Sequence, residues 1–249
     1  MTETLVICAG VALLAAAVVL LKHRFRPLAE DEEPREDVAE YIAMMVGVLY
    51  ALILGLSLVS VWDARSGASD HVATEASAVH QVRLLAASLP EPQASEVRSG
   101  TDAYARHVID VEWPAMAAGQ PLGPEGWRLL DRLRAADRLP DDATPAQQAA
   151  AQEVLAQLST LDDARRGREG DIGGGLSPIL WLGLIIGGVL TVAFMFMFGV
   201  ERSVTHVVMV MGLSALITFL VLLIHQLDQP FNGILAVDAT PFSRYFPSA

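Results

Sequence analysis

The sequence has little basic charge and almost no cysteine. Its 249 residues contain 17 Lys and Arg against 29 Asp and Glu, which gives a net charge of -12. Because nucleic-acid binding requires basic patches, this balance argues against a nucleic-acid partner. The single cysteine, Cys8, lies inside an apolar run, so no disulfide can form within the chain and cysteine use does not indicate the compartment.

Familiar catalytic and cofactor motifs are also missing. The chain has no glycine-rich phosphate loop, no His-Glu-x-x-His sequence, no cysteine pair and no nucleophile elbow. His71 and Glu75 are one helical turn apart and His80 follows, but a third metal ligand at regular spacing is absent, so we favour a polar helix face. We therefore predict that the protein is not an enzyme and expect no cofactor or metal.

Long apolar runs are what the sequence does contain. It is 53% hydrophobic, and four runs approach the ~20 residues that a helix needs to cross a bilayer. No stretch shows sustained alternation of period two, so we expect no sheet. The predicted fold is all-α: an integral membrane protein with four transmembrane helices, at about residues 4–21, 41–62, 179–200 and 205–226. They form two transmembrane pairs, within residues 1–62 and 178–226.

A helical soluble insert, residues 63–177, is predicted between membrane helices two and three. It holds 11 arginines against 18 Asp and Glu, so it is acidic. Residues 28–40 are predicted to be a solvated acidic link, and residues 227–249 a polar C-terminal tail. Apolar residues at three- and four-residue steps predict four helices in the insert: Asp70–Leu89, Gln93–Glu112 with Trp113-Pro114 as its stop, Glu125–Leu139, and a long helix from the N-cap Thr144 to about Arg168.

Small and aromatic residues mark candidate contact surfaces on the membrane helices. Glycine and alanine four residues apart let helices approach closely, and two phenylalanines four residues apart share one face. For the phenylalanines, packing or lipid contact is favoured over a hydrophobic pore constriction. We therefore expect a homo-oligomer in the lipid bilayer. The candidates for helix contact or pore lining are Gly47, Ala51, Gly55, Gly183, Gly187, Phe194 and Phe198.

A second group of candidates is polar and lies near the last membrane helix. Asp228 ends an apolar helix, and His225 lies three residues earlier on the same face. A carboxylate at a helix C-terminus is unfavourable by ~0.3–1 kcal/mol, so another group should offset it. We predict that Asp228 is a structural latch, with a pore-mouth charge as the alternative. The expected partners are backbone amides of residues 231–233 or one of three arginines, Arg165, Arg166 and Arg168.

The distribution of basic residues predicts an orientation. The short links between membrane helices carry five basic residues, whereas the two tails carry only Arg244. The positive-inside rule then puts both termini and the insert outside the cytoplasm, although the three arginines just before helix three favour the opposite. One lysine against sixteen arginines indicates a GC-rich bacterial genome, and hence the inner membrane. The five basic residues are Lys22, Arg24, Arg26, Arg35 and Arg202.

Four stretches of the sequence carry a resemblance to a known family. They are Glu75-Ala76 with Leu84-Leu85 and Leu89-Pro90; Tyr104 with Glu112-Trp113-Pro114; Arg165-Arg166-Gly167-Arg168 before Pro178 and Trp181; and Leu227 to Gly233 with Pro241-Phe242. From about Tyr41 to Phe242 the sequence resembles the bestrophin-like domain family of bacterial and plant membrane proteins. Many members have arginine where this chain has Gln229.

The resemblance implies a remote kinship with bestrophins, which are pentameric anion channels gated in animals by calcium. Bestrophins place the region between membrane helices two and three in the cytoplasm, opposite to the orientation that the charges predict. Since four nearly uncharged helices offer no polar path, conduction would require a ring of subunits. We expect an oligomeric membrane protein, an ion channel as the resemblance implies; the alternative is a non-conducting membrane protein whose insert senses or binds an ion or protein partner.

Overall fold

The computed structural model describes residues 36–197 and 204–247, together with residues 6, 7, 10, 11, 13, 14, 17 and 18 of the first apolar run. Every regular element among these residues is a helix, and none of them is in a strand. The prediction of an all-α fold is confirmed for this part of the chain.

Eight α-helices are described from residue 36 onward. Short segments of other helix types follow two of them: a 3-10 turn at Ala86–Ser88 and a π-helix at Val108–Glu112. The helices are α1 Glu36–Leu85, α2 Gln93–His107, α3 Trp113–Ala117, α4 Glu125–Ala136, α5 Pro145–Ile172, α6 Pro178–Met197, α7 Val204–Leu227 and α8 Thr240–Tyr245.

Three described stretches are helical, long enough and apolar enough to cross a membrane: Glu40–Ser88, Pro178–Met195 and Val207–Leu227. They correspond to the second, third and fourth predicted membrane helices. Most of the first predicted membrane helix, residues 4–21, lies outside the described residues, and so does the link that carries Glu201 and Arg202.

Helix α1 is longer than the sequence predicts. We expected an acidic link up to residue 40, a membrane helix over 41–62 and a separate helix from Asp70, but α1 runs without interruption from Glu36 to Leu85. The stretch between Trp62 and Asp70 contains no proline and only one glycine, Gly67. A single glycine costs a helix about 1 kcal/mol relative to alanine, which is too little to end a helix of 50 residues.

The insert helices also differ from the prediction in their ends. Trp113-Pro114 was expected to stop a helix, but the chain passes from α2 through the π-helix into α3. Pro114 lies in the first turn of α3, a position where proline is common because its fixed φ suits a helix. The N-cap prediction is correct: Thr144 Oγ1 accepts from the Gln147 N–H at 3.3 Å, and Gln147 Oε1 accepts from the Thr144 N–H at 2.9 Å.

The chain divides into two compact units. The membrane unit consists of Met1–Trp62 with Leu176–Asp228, and the insert unit consists of Asp63–Gly175 with Gln229–Ala249. The sequence predicts a separate polar tail over residues 227–249, whereas in the structure residues 229–249 belong to the insert unit. The reason is apolar burial, because four side chains of this segment lie in the core of the insert unit: Phe231, Val237, Phe242 and Phe246.

The membrane unit has a small internal core and a large uncovered surface. Tyr50 of α1 packs against Gly187 of α6, where an added Cβ would lie 2.5 Å from the tyrosine ring. Leu54 and Leu184 are buried beside it. Most other apolar side chains of these helices are exposed, including Leu52 and Ile186. An apolar surface of this extent is suited to lipid or to other subunits.

One buried carboxylate in the insert unit has no visible compensation. Asp137 follows the end of α4, is only 5% exposed, and its two side-chain oxygens have no hydrogen-bond partner among the described residues. Burial disfavours the charged form and raises the pKa of Asp137 to about 6, against an ordinary value of 3.8. The folded protein therefore binds the proton of Asp137 more tightly than the unfolded chain does. The free energy of unfolding that this proton contributes is lost as the pH rises from about 4 to about 6.

We expect Asp137→Asn to stabilise the protein at pH 8 by about 1–3 kcal/mol, because the amide is never charged. At pH 4 the aspartate is protonated, so the two proteins should have nearly equal melting temperatures. The measurement is thermal unfolding in detergent at both pH values. Asp141→Asn removes the same charge at an exposed position and serves as the control. A lower melting temperature of Asp137→Asn at pH 8 would contradict this prediction.

Candidate functional site

Five polar side chains from four helical elements meet in the core of the insert unit; we call them the buried charge network. Glu75 comes from α1, Tyr104 from α2 and Glu112 from the π-helix. Arg165 and Arg168 come from α5 and are three residues apart, so they lie on one face of that helix. All five are at most 2% exposed.

The hydrogen bonds of the network form a continuous chain. Arg168 donates to both oxygens of Glu75, with Nη2 2.9 Å from Glu75 Oε1, and its Nη2 lies 2.6 Å from Glu112 Oε2. Arg165 donates to both oxygens of Glu112, at 3.0 and 2.6 Å. The Tyr104 hydroxyl donates to Glu75 Oε1 at 2.6 Å and accepts from Arg165 Nη1 at 3.1 Å. Each carboxylate therefore faces a forked arginine, the strongest kind of ion pair.

Two guanidinium groups face two buried carboxylates in the network, and the partly exposed carboxylate of Glu169 lies 3.0 Å from Arg165 Nη2. Burial by itself raises the pKa of Glu112, but the hydrogen bonds and charges of Arg165 and Arg168 outweigh it, and the pKa of Glu112 is lowered. Burial and the nearby charge of Glu75 raise the pKa of Tyr104 well above its ordinary value. The tyrosine hydroxyl therefore keeps its proton and acts as a donor to Glu75.

Close packing around Arg165 depends on a glycine. A Cβ at Gly126, in the first turn of α4, would overlap both the Arg165 guanidinium and the Glu112 carboxylate. The guanidinium carbon of Arg165 also lies 5.2 Å from the ring centre of Trp127. An aromatic face attracts a cation at this distance, so Gly126 and Trp127 help to enclose the guanidinium.

The sequence contains a signal for this network that our sequence analysis missed. Val154, Leu158 and Leu161 form a buried stripe on α5, and the same three- and four-residue steps lead directly to Arg165 and Arg168. Two arginines that continue an apolar stripe point into the core, and buried arginines require carboxylate partners. The stripe therefore predicts that both arginines are buried and paired.

Arg83 and Arg106, the arginines closest in sequence to Glu75 and Glu112, are not the partners of these glutamates. Arg83 Nε lies 3.0 Å from Asp102, and Arg106 donates to the backbone oxygen of Asp102 at 3.3 Å. Both glutamates are instead paired with arginines of α5.

The histidines considered as metal ligands do not come together. His71 Nδ1 lies 2.8 Å from Asp171, whereas the ring of His80 stacks on Tyr245 with centroids 4.4 Å apart. Glu75 belongs to the buried charge network. The described part of the chain contains no group of three or more His, Cys, Asp or Glu residues that could hold a metal ion.

Asp228 makes a polar contact within the membrane unit. Its carboxylate accepts from the backbone N–H of Leu176 at 2.6 Å and from the indole N–H of Trp181 at 3.1 Å. His225 is exposed, and its ring meets that of Trp181 edge-on at 5.6 Å. Asp228 thus links the end of α7 to the start of α6. The predicted offset by amides of residues 231–233 is not among the described hydrogen bonds.

The arginine partners predicted for Asp228 are a further error. Arg165 and Arg168 are fully buried and bound to glutamates, and the exposed Arg166 lies 3.5 Å from Asp163. The apolar stripe of α5 continues through Arg165 and Arg168, whereas Arg166 lies on the exposed side of the helix. Asp228 instead obtains its donors from the neighbouring backbone and from an indole.

No described residue of the chain covers the small-residue stripe of α1. A Cβ added at Gly47 or Gly55 would meet no described atom within 4 Å, and Ala51 is exposed. This face is available to a lipid or to another subunit.

The two glycines of the predicted GxxxG pair have different surroundings. Gly183 is exposed and uncovered, whereas Gly187 contacts the ring of Tyr50. Phe194 is half-buried. Phe198 lies outside the described residues, so the shared face of these phenylalanines stays a prediction.

Replacing one arginine of the network should destabilise the protein strongly. Arg168→Leu leaves the buried carboxylates of Glu75 and Glu112 short of a partner, which costs about 3–5 kcal/mol. Arg166→Leu is the matched control, since its side chain is 63% exposed and its ion pairs contribute at most about 1 kcal/mol. Thermal unfolding of the purified proteins in detergent measures both effects. Equal melting temperatures for the two variants would show that the network does not hold the insert together.

The sequence and the fold were both found to be similar to known proteins. Residues 9–242 match the model of the bestrophin-like domain family, which confirms the resemblance. The fold is similar to the crystal structure of a mutant bacterial bestrophin homologue from Klebsiella pneumoniae, with a TM-score of 0.59 and 13% identity over 98% of this chain and 94% of that one. Comparison with curated proteins finds no match. Since the family model covers most of the sequence, the chain belongs to the bestrophin-like domain family.

Proposed function

We propose that the protein is one subunit of a homo-oligomeric ion channel in the inner membrane of a bacterium. Membership in the bestrophin-like domain family is the observation that carries this proposal. The similarity of fold to a bacterial bestrophin homologue supports it. The proposal includes no catalytic step, so the protein is not an enzyme in this account.

The chemistry of the membrane helices favours a ring of subunits over a path through one chain. The apolar parts of the three described spans contain few polar side chains, and the cavity among them is lined mainly by aliphatic residues. An ion in such surroundings would lose its hydration without compensation. Several copies arranged around an axis can enclose water, which requires close contact between their helices. The uncovered stripe Gly47, Ala51 and Gly55 is suited to such a contact or to the lining of the path.

Gly55→Leu should weaken the assembly. The added side chain would stand on the uncovered stripe and force the neighbouring helix away. Ser60→Leu is the control, because it adds a leucine to an exposed position on another face of the same helix. The mass of the purified protein in detergent measures the oligomer. We expect Gly55→Leu to lower the mass by at least one subunit and Ser60→Leu to leave it unchanged; an unchanged mass in both would remove this face from the interface.

The same proteins reconstituted in liposomes test conduction. The wild-type oligomer should support chloride or potassium flux, and Gly55→Leu should lose this flux in proportion to its loss of oligomer. An oligomeric wild-type protein without flux would contradict the channel proposal.

An oligomer without ion flux would favour the second candidate function, a non-conducting membrane protein whose insert binds a partner. The insert unit supports this alternative because it is a compact unit with its own core and carries an excess of acidic residues.

We further propose that both termini and the insert lie outside the cytoplasm, as the charge distribution indicates. With Cys8→Ser as background, a cysteine introduced by Ser99→Cys should react with a membrane-impermeant maleimide in intact cells, since Ser99 is exposed. A cysteine introduced by Ala29→Cys, in the predicted inner link, should react only after lysis. The reverse pattern would mean that the insert is cytoplasmic, as in bestrophins.

A further inference from the structure

A partly open cavity of about 400 Å³ lies in the membrane unit. Its walls come from the first apolar run and from α1, α6 and α7, and most of the lining side chains are aliphatic, such as Leu14, Leu184, Val189 and Val221. The volume is within the range of ~300–1,000 Å³ that is usual for small-molecule sites. An occupant of this cavity must be largely apolar.

Two hydroxyl groups in the cavity wall are buried and unpartnered. Tyr50 is 6% exposed and Ser214 is 2% exposed, and neither side-chain oxygen has a hydrogen-bond partner among the described residues. Leaving such a group unpaired costs about 1–3 kcal/mol. Both residues line the cavity.

Three other hydroxyls of the membrane helices form hydrogen bonds to the backbone of their own helix. Ser57, Thr191 and Thr218 each donate to the backbone oxygen four residues earlier, at 2.8 Å. This is the usual solution for serine and threonine inside a helix. Ser214 does not adopt it, although its helix offers the same geometry, and a tyrosine hydroxyl is too far from its own backbone to do so. The two free hydroxyls are therefore available for a ligand.

The position of the Tyr50 hydroxyl is fixed by packing. A Cβ at Gly188 would lie 2.9 Å from this hydroxyl oxygen, and one at Gly187 would lie 2.5 Å from the ring. Two adjacent glycines thus make room for the ring and hold its polar end beside Gly188, which itself lines the cavity.

The depth of Tyr50 in the membrane limits the chemistry of the occupant. Tyr50 follows Tyr41 by nine residues and precedes Trp62 by twelve, and these aromatic residues mark the ends of the predicted span. At 1.5 Å per residue it lies ~14 Å and ~18 Å from them, near the middle of a hydrocarbon core ~30 Å thick. The ester and head groups of a phospholipid stay at the edges of that core. An acyl chain therefore brings no acceptor to this depth.

We propose that the cavity binds a neutral, lipid-soluble carbonyl compound of the isoprenoid-quinone class. Its carbonyl oxygens accept hydrogen bonds from the hydroxyls of Tyr50 and Ser214, and its apolar part contacts the aliphatic walls. A carbonyl oxygen suits this place because it is uncharged, accepts hydrogen bonds and requires no donor in return. The site does not depend on whether the oligomer conducts ions.

Binding of tritiated decylubiquinone to the immobilised full-length protein in detergent tests the proposal. The wild type should bind the probe saturably. Tyr50→Phe keeps the ring and removes only the hydroxyl, and Ser214→Ala removes the other hydroxyl; each should weaken binding about 3–10-fold, as expected for the loss of one hydrogen bond. Thr218→Val is the matched control, because Thr218 lines the cavity but its hydroxyl is already bonded to the backbone. It should bind the probe as the wild type does.

Decylbenzene, which lacks the carbonyl oxygens, separates hydrogen bonding from apolar filling of the cavity. It should compete for the wild type and for Tyr50→Phe with the same weak affinity. Absence of saturable binding to the wild type would overturn the proposal. Unchanged affinity of both hydroxyl variants for decylubiquinone would also overturn it and would assign the cavity to acyl chains. Should Tyr50→Phe fail to fold, Ser214→Ala, which removes a single atom from a helix, decides between these results.

Discussion

The pairing of Arg165 and Arg168 with Glu75 and Glu112 is the constraint on which the insert unit depends. Removing a charge from water costs several kcal/mol, and only well-placed opposite charges and hydrogen bonds offset that cost. The paired residues are 53 to 93 positions apart in the sequence. The ion pairs join α1, α5 and the π-helix, and Tyr104 adds α2 to the same network.

The aromatic packing of the insert unit begins beside this network. Trp113 follows Glu112 directly, and its ring meets Phe231 and Phe242 edge-on at 6.0 and 6.5 Å. The segment that supplies a carboxylate to the network therefore also holds the C-terminal segment. The family resemblance rests on stretches that are far apart in the sequence. Most of these stretches contribute to the core of the insert unit.

The membrane unit is held together by apolar contacts instead of buried ion pairs. In the buried charge network of the insert unit the charges are internal and paired, so their role is structural. The membrane unit has apolar surfaces, a small-residue stripe that no described residue covers, and two hydroxyls without a partner among the described residues. Uncovered surface and unsatisfied polar groups are features that a second molecule can complete. Subunit contact, conduction and ligand binding are therefore to be sought in the membrane unit, whereas the buried charge network determines whether the insert folds.

The sequence by itself determined the helical class, the three described membrane spans, the Thr144 cap and the family. These features follow from local periodicity, run length and short motifs. Tertiary structure alone decided which charges pair. Arg83, Arg106, Arg165 and Arg168 are equivalent as charges, and only the packing of α5 makes the last two the partners of the glutamates. The same holds for Asp228, whose donors are a backbone amide and an indole. A hydrogen-bond partner is set by distance in the folded chain, and local sequence does not encode that distance.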